Sequence, residues 1–172
     1  MTKNKIELVK WSSTFACGIK LIDDQHKELL NLVNNMFNHV SGNEEQEQQF
    51  FNKIIEEAFT YIKVHFSTEE KIMIATNFSG YGAHKKAHES FISTVTKLVS
   101  ESQLTGKRFS LYSFTKFLKE WILAHIAVVD KQYFIYLKQI ATHKADGKLS
   151  ITHGDVKSAA QRSARIPEAA AS

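Results

Sequence analysis

The sequence predicts an all-α protein that folds as an antiparallel, up-down-up-down four-helix bundle. Its single proline, Pro167, lies near the C-terminus, so the rest of the chain lacks the strongest helix breaker. Apolar residues recur at intervals of three and four in four separate segments, which is the pattern of amphipathic helices. The connections between these segments are short, and short loops make neighbouring helices run in opposite directions.

Composition excludes several classes of function. A chain of 172 residues with 43% hydrophobic and 23% charged residues is typical of one soluble globular domain. A net charge of +4 indicates no nucleic-acid surface, and no apolar run approaches the roughly 20 residues of a membrane span. Cys17 is the only cysteine, and the N-terminus lacks the apolar core of a secretory signal. We therefore expect a cytoplasmic protein.

Two terminal segments flank the predicted helices. Residues 1–18 have no helical period, and we expect an arm that lies across the bundle, anchored by Trp11 and Phe15. Residues 141–172 are rich in Lys, Ser, Ala and Gly, which predicts a mobile or partly helical tail with His143 and His153 in solvent. The bundle and its arm then occupy residues 1–140. The arm and the tail are the candidate contacts for a protein partner.

The first helix is predicted from Ile19 to about Gly42, which we expect to cap its C-terminus. His39 lies about 140° from the apolar face, so we expect it in solvent. That face contains one histidine, and its members are Ile19, Ile22, His26, Leu29, Leu30, Val33, Phe37 and Val40.

The second helix begins near the acidic run at residues 43–49, since acidic side chains favour a helix N-terminus. His65 and Glu69 are four residues apart and share its apolar face. Burying a charged residue costs several kcal/mol unless a partner neutralises it. Either these two side chains hydrogen-bond each other, or a third group binds both. The face consists of Phe51, Ile54, Ala58, Ile62, His65, Glu69 and Ile72.

The third helix opens after Gly80 and Gly82 and carries His84 and His88 on one face. A single metal ion can bind two imidazoles at this spacing, although the spacing alone is common. The same face continues with Phe91, Ile92, Val95, Leu98 and Val99.

A break at residues 103–106 precedes the fourth helix, which is predicted to end near residue 140. Its apolar face again includes one histidine. The face consists of Phe114, Phe117, Leu118, Trp121, Ile122, His125, Val128, Val129, Tyr133, Tyr136 and Ile140.

Five of the eight histidines thus occupy inward faces where apolar residues are expected. One such histidine is ordinarily a hydrogen-bonded core residue, but five and a carboxylate would need several separate polar sites in a small core. A shared metal centre explains all of them. Five nitrogen ligands exceed the tetrahedral set of structural zinc, which favours two ions. The Glu-x-x-His repeats of ferritin-like di-iron proteins do not occur in the sequence.

The motifs around these residues resemble the hemerythrin family, in particular its bacterial members, over residues 11–137. The matching segments are Gly18-Ile-Lys-Leu-Ile-Asp-Asp-Gln-His26, His65-Phe-Ser-Thr-Glu69, Gly80-Tyr-Gly-Ala-His84-Lys-Lys-Ala-His88 and Trp121-Ile-Leu-Ala-His125-Ile-Ala-Val-Val-Asp130. The resemblance implies a non-haem di-iron centre that binds O2 reversibly. It assigns His84, His88 and His125 to one iron and His26 and His65 to the other. Glu69, Asp130 and an oxo or hydroxo group would bridge them.

Asp130 is a ligand only by this resemblance. It follows His125 by five residues, which is about 140° away on a regular α-helix. We therefore predict that the fourth helix widens into a π-bulge between residues 125 and 130, which brings both side chains onto one face.

The implied ligand set leaves one coordination position open on the iron held by His26 and His65. Reversible O2 binding there needs a dry pocket. Four residues within one helical turn of a ligand are expected to line it, although ordinary core packing explains them equally well: Phe66, Trp121, Ile122 and Ile126.

The resulting expectation is a non-enzymatic protein for O2 carriage, storage or delivery. One alternative is a sensor or delivery module for O2, redox state or iron that acts on a protein partner through the arm or tail. Another is a di-iron enzyme that reduces peroxide, NO or O2. An enzyme needs a proton donor near the open position, for which Tyr61 and Tyr133 are the nearest candidates.

Overall fold

The computed structural model describes residues 5–104 and 109–145, with side chains up to residue 141. The described residues form helices and connections without a β-strand, and the predicted antiparallel four-helix bundle is confirmed. The first three bundle helices are α1 (Lys20–Asn38), α2 (Glu44–Ala75) and α3 (Tyr81–Ser102). The fourth is continuous and consists of α4 (Leu111–Ala124), a π-helical turn (His125–Asp130) and α5 (Lys131–Ala145).

Side-chain caps fix where α2 and α4 begin. The Asn43 side chain accepts a hydrogen bond from the Gln46 backbone N–H at 3.1 Å, and Ser110 accepts one from Ser113 at 3.2 Å. Such caps satisfy N–H groups that lack a partner within the helix.

The prediction that Gly42 caps α1 is wrong. The helix ends at Asn38 with His39 at its cap, and Gly42 lies further along, with φ +77°. Buried Glu47 accepts hydrogen bonds from the N–H groups of Ser41 and Gly42 at 2.7 and 2.8 Å. Gly42 is suited to the connection between α1 and α2 because a left-handed φ strains other residues.

Two clusters of buried apolar residues fill the bundle. The larger one includes Leu30, Phe51, Phe91 and Leu118, and the smaller one consists of Cys17, Ile22, Ile72, Met73, Tyr133 and Phe134. Along α1, α2 and the fourth helix, the predicted metal ligands lie between members of the two clusters. The histidines are therefore surrounded by apolar packing on both sides.

The N-terminal arm lies along α1. Asn34 and Asn38 lie one turn apart, and the side-chain amide of each forms two hydrogen bonds with the backbone of one arm residue. Asn34 accepts from the Val9 N–H at 3.0 Å and donates to the Val9 carbonyl at 2.8 Å. Asn38 accepts from the Ile6 N–H and donates to the Ile6 carbonyl, both at 2.8 Å. The Trp11 ring packs 6.0 Å from that of Phe15, and both pack against the larger cluster.

The fourth helix continues to Ala145, beyond the predicted end near residue 140. Three parts of the sequence lie outside the described residues: the side chain of His143, the rest of the predicted tail with His153, and residues 105–108, which overlap the predicted break at residues 103–106. None of the helices described is both long enough and apolar enough to cross a membrane.

Candidate metal centre

Seven buried side chains from all four bundle helices meet in the interior. Their possible ligand atoms form two groups, within each of which all atoms lie within 4.8 Å of one another. One group contains Glu69, His84, His88, His125 and Asp130, and the other contains His26, His65 and Glu69. All seven side chains are at most 4% exposed. These are the residues that the sequence singled out as ligands.

The three-histidine group consists of His84, His88 and His125 with one oxygen from each carboxylate. The Nε2 atom of His88 lies 3.1 Å from that of His84 and 3.0 Å from that of His125. The nearest carboxylate atoms are Glu69 Oε2, 3.3 Å from His88 Nε2, and Asp130 Oδ1, 3.1 Å from His125 Nε2. Three converging imidazole nitrogens with two anionic oxygens suit a divalent cation.

The two-histidine group places the Nε2 atoms of His26 and His65 on the other side of the same carboxylates. His26 Nε2 lies 3.3 Å from Asp130 Oδ2 and 3.6 Å from Glu69 Oε1. Asp130 therefore presents one oxygen to each group. Glu69 presents Oε1 to His26 and Oε2 to the three-histidine group, although Oε2 also lies 3.7 Å from His65 Nε2.

The π-helical turn His125–Asp130 explains how two residues five apart reach one site. A π-helix closes hydrogen bonds between residues five apart, so His125 and Asp130 point the same way. The predicted widening is confirmed. It also corrects the placement of Val128, which was expected on the inward face but is 60% exposed.

The buried polar atoms of the site test whether these residues fit a cation. Within the described chain, five buried side-chain atoms lack a hydrogen-bond partner: His26 Nδ1, His26 Nε2, Glu69 Oε2, Asp130 Oδ1 and Asp130 Oδ2. All five belong to the site. Leaving a buried polar atom unsatisfied costs about 1–3 kcal/mol, and more for a charged group. Bound cations would satisfy the carboxylate oxygens and the inward Nε2 atom, so the donor set fits a metal centre.

Comparison with known proteins identifies the family. Residues 17–137 match the family model described as the hemerythrin HHE cation binding domain. The chain belongs to the hemerythrin family.

Similar proteins agree with this family over most of their own length. Bacteriohemerythrin from Stenotrophomonas maltophilia is 29% identical over 150 residues, which cover 84% of this chain and 95% of that protein. Bacteriohemerythrin from Methylococcus capsulatus is 26% identical over 127 residues, covering 73% and 94%. The crystal structure of a leucine-to-tyrosine hemerythrin mutant superposes with a TM-score of 0.65 at 25% identity, covering 74% of this chain and 95% of that one.

Burial and charge set the protonation of this hemerythrin-type site. Burial lowers the pKa of His65 to about 4. Burial disfavours ionisation of Glu69 and Asp130, but the surrounding imidazoles outweigh it and hold the pKa of each carboxyl below its usual value. Burial also disfavours charge on His26, yet its contacts with Asp130 and Glu69 raise its pKa to about 9. Both carboxylates are therefore ionised at neutral pH.

Three outer residues contact the candidate ligands and orient them. His65 Nδ1 bonds Gln25 Oε1 at 3.1 Å, His88 Nδ1 bonds Glu70 Oε1 at 3.0 Å, and the Tyr133 hydroxyl donates to Glu69 Oε1 at 2.9 Å. The sequence pattern did not indicate Gln25, which precedes His26, or Glu70, which follows Glu69, because both lie off the apolar face. Tyr133 was on the predicted face, and a buried tyrosine hydroxyl requires a partner. The Tyr61 hydroxyl instead donates to the backbone carbonyl of Gln25 at 3.3 Å.

The residues predicted to line an O2 pocket are buried or partly buried around the site. Phe66 stacks on His88, with ring centroids 3.7 Å apart, and Trp121 stacks on His125 at 4.3 Å. Ile122 and Ile126 are each 3% exposed. The aromatic rings near His26 come from other segments and belong to Trp11 at 6.5 Å and Phe134 at 6.1 Å.

Proposed function

We propose that the protein binds O2 reversibly, for carriage, storage or delivery, at a non-haem di-iron centre. The observation that carries this proposal is the pair of donor groups that share buried Glu69, together with buried Asp130, whose Oδ2 lies 3.3 Å from His26 Nε2 in the second group. His84, His88 and His125 would hold one iron and His26 and His65 the other. Glu69 and Asp130 would supply oxygens to both ions, together with an oxo or hydroxo group. Membership of the hemerythrin family and relatives named bacteriohemerythrin and myohemerythrin support the proposal.

The composition of the donor set favours reversible binding. When bound, two ferrous ions supply the two electrons that O2 takes up and returns on release. With metal bound, five neutral imidazoles and two carboxylates compensate less charge than a carboxylate-rich set, which favours the lower oxidation state. The buried residues around the site exclude water, which would otherwise let the reduced oxygen leave as peroxide instead of O2 and leave both irons oxidised. Phe66, Trp121, Ile122 and Ile126 are the proposed lining.

Tyr133 supports a non-enzymatic role. Its hydroxyl proton is engaged by Glu69 Oε1, and burial together with the nearby carboxylates raises the pKa of Tyr133 well above its usual value. A general acid works best when its pKa lies near the operating pH. Tyr133 is thus suited to orienting the Glu69 carboxylate and poorly suited to delivering protons in a reductive reaction.

The optical spectrum tests this proposal. We expect protein loaded anaerobically with Fe(II) to develop a visible absorption band in air, to lose it under argon and to regain it in air over repeated cycles. A His84→Ala variant should show no such band. A band that bleaches without return, or steady consumption of O2 or peroxide with an electron donor, would overturn the carrier function and favour an enzyme.

A second candidate function is sensing through the arm. Trp11 lies beside His26, and the Lys27 ammonium lies 5.3 Å from the centre of the Trp11 ring, so the arm contacts the two-histidine side of the site. If the protein is a sensor, hydrogen exchange of the arm should differ between argon and air. Equal exchange in both gases would exclude a sensor that acts through the arm. The tail boundary at residue 141 and a cytoplasmic location stay predictions.

A further inference from the structure

The hydrogen bonds behind the ligands differ between the two metal positions. In the three-histidine group, the Nδ1 atom of His88 faces the carboxylate of Glu70 at 3.0 Å. In the two-histidine group, His65 Nδ1 faces the neutral amide of Gln25 at 3.1 Å. Among the residues that the structure describes, the buried His26 Nδ1 atom has no hydrogen-bond partner. Within that part of the chain, the negative outer partner of a histidine therefore lies on the three-histidine side.

A connected series of hydrogen bonds fixes the orientation of Gln25. The Thr68 hydroxyl donates to the Val64 carbonyl at 2.8 Å, so it can only accept from the Gln25 amide nitrogen, 3.4 Å away. The Gln25 oxygen must then face His65, whose Nδ1 donates the proton. This arrangement leaves the His65 Nε2 lone pair free for a metal ion.

The carboxylate of Glu70 does more than fix a tautomer. Glu70 is 22% exposed and His88 only 2%, so the contact is largely shielded from water. A carboxylate that accepts the Nδ1 proton makes the opposite nitrogen of the ring a stronger metal ligand, which a neutral amide does to a lesser extent.

We propose that Glu70 and Gln25 are positioning residues that make the two metal positions unequal, so that the three-histidine position holds its ion more tightly and fills first. This inference rests on the proposed metal centre and deepens it. It assigns the difference in affinity to the charge of the outer partner in addition to the number of histidines. Glu70→Gln and Gln25→Glu test the effect of charge directly, because Glu and Gln have nearly the same shape.

Release of Co(II) to a chelator tests the proposal without any measurement of O2. We expect wild-type protein carrying two Co(II) ions to release them in a fast and a slow phase, and His65→Ala to abolish the fast one. Glu70→Gln should accelerate the slow phase about tenfold, because outer-partner substitutions typically weaken metal affinity 10- to 100-fold. Gln25→Glu should slow the fast phase by a similar factor.

Two matched variants separate this effect from general changes of charge. Glu89→Gln removes an exposed carboxylate that pairs with Lys85 on the same helix as His88, and it should leave both phases unchanged. The double variant Glu70→Gln with Gln25→Glu preserves the net charge and should bring the two rates together. A slow phase that responds equally to Glu70→Gln and Glu89→Gln would overturn the proposal, as would a Glu70→Gln effect on the fast phase alone.

The outcome is distinguishable from failure of the proposed function. Two cobalt ions released with the expected pattern, from a protein whose iron form shows no reversible O2 spectrum, would overturn O2 binding and support the unequal positions. A reversible O2 spectrum with unaltered cobalt release in Glu70→Gln would support O2 binding and overturn the proposed role of Glu70. Uptake of no metal ion by the wild-type protein would overturn both.

Discussion

The two halves of the bundle are stabilised in different ways. Around Leu30, Phe51, Phe91 and Leu118, each at most 2% exposed, the helices bury apolar side chains, and each contributes about 1.5–3 kcal/mol by leaving water. Around Glu69 and Asp130 they bury charged carboxylates whose oxygens lack full hydrogen bonding. The larger apolar cluster is therefore stabilised by apolar burial alone, whereas we expect the region around the two carboxylates to depend on bound cations as well. Folding and metal binding should be coupled in one half only.

Metal removal should give the largest effect. A ligand that binds only the folded state stabilises it by about 4 kcal/mol when its free concentration exceeds its Kd a thousandfold. We expect a chelator to lower the free energy of unfolding by at least that amount in denaturant titrations. Hydrogen exchange should accelerate at the amides around His65 and Glu69 and stay slow around Phe51. Equal acceleration in both halves would refute the comparison.

Glu69→Ala and Leu118→Ala should respond oppositely to metal. In iron-loaded protein we expect Glu69→Ala to release iron and to lose the stability that bound metal contributes. With a chelator present only the cost of depriving His26 and Tyr133 of their partner should remain, so the variant should be less destabilising than with iron. Leu118→Ala should cost about 2–5 kcal/mol in both states, since it leaves a cavity in the apolar half. Iron analysis and thermal unfolding measure both variants. A Glu69→Ala cost that is independent of metal would contradict this account.

The π-helical turn offers a finer test. Deleting exposed Val128 should convert it into a regular helix in which His125 and Asp130 are four residues apart and still share a face. We expect both metal ions to be retained with no more than about a tenfold change in affinity, or 1.4 kcal/mol. As a control, deleting Glu120 within regular α4 rotates the flanking segments by about 100° and should abolish binding. Loss of metal in both deletions would contradict the interpretation.

The smallest expected effect concerns the proposed pocket. Ile126→Val removes one buried methylene and should cost about 0.5–1.5 kcal/mol. If Ile126 excludes water, the variant should also lose its reversible O2 spectrum severalfold faster than the wild-type protein does on storage, at unchanged iron content. Ile135→Val, at a position 51% exposed, is the control. Equal lifetimes of the two variants would remove Ile126 from the pocket.

Helical periodicity predicted most of the fold. It also predicted six of the seven proposed ligands, namely the five histidines and Glu69. These residues can be recognised in the sequence because a histidine on an apolar face departs from the pattern expected of a core. Asp130 could not be found this way, since the π-helical turn changes the period at that point. The same turn explains why Val128 was wrongly expected inside.

The outer partners depend on relations between helices that the pattern within one helix does not contain. Gln25 reaches His65 and Glu70 reaches His88 across helix interfaces, through the rotation of one helix against another. Gly42 shows a related difficulty: a glycine after an apolar stretch predicts a helix cap, but here the buried Glu47 carboxylate organises the connection. The role of Glu47 depends on its contacts with Ser41 and Gly42 across the connection, which helical periodicity does not describe.

The position of the metal ions tests the central claim most directly. Anomalous diffraction at the iron edge, from crystals of the iron-loaded protein, should show two peaks about 3.5–4 Å apart, the usual spacing of paired metal ions. One peak should lie among His84, His88 and His125, and the other between His26 and His65, with Glu69 and Asp130 contacting both. A single peak, or two peaks that share no carboxylate, would contradict the account.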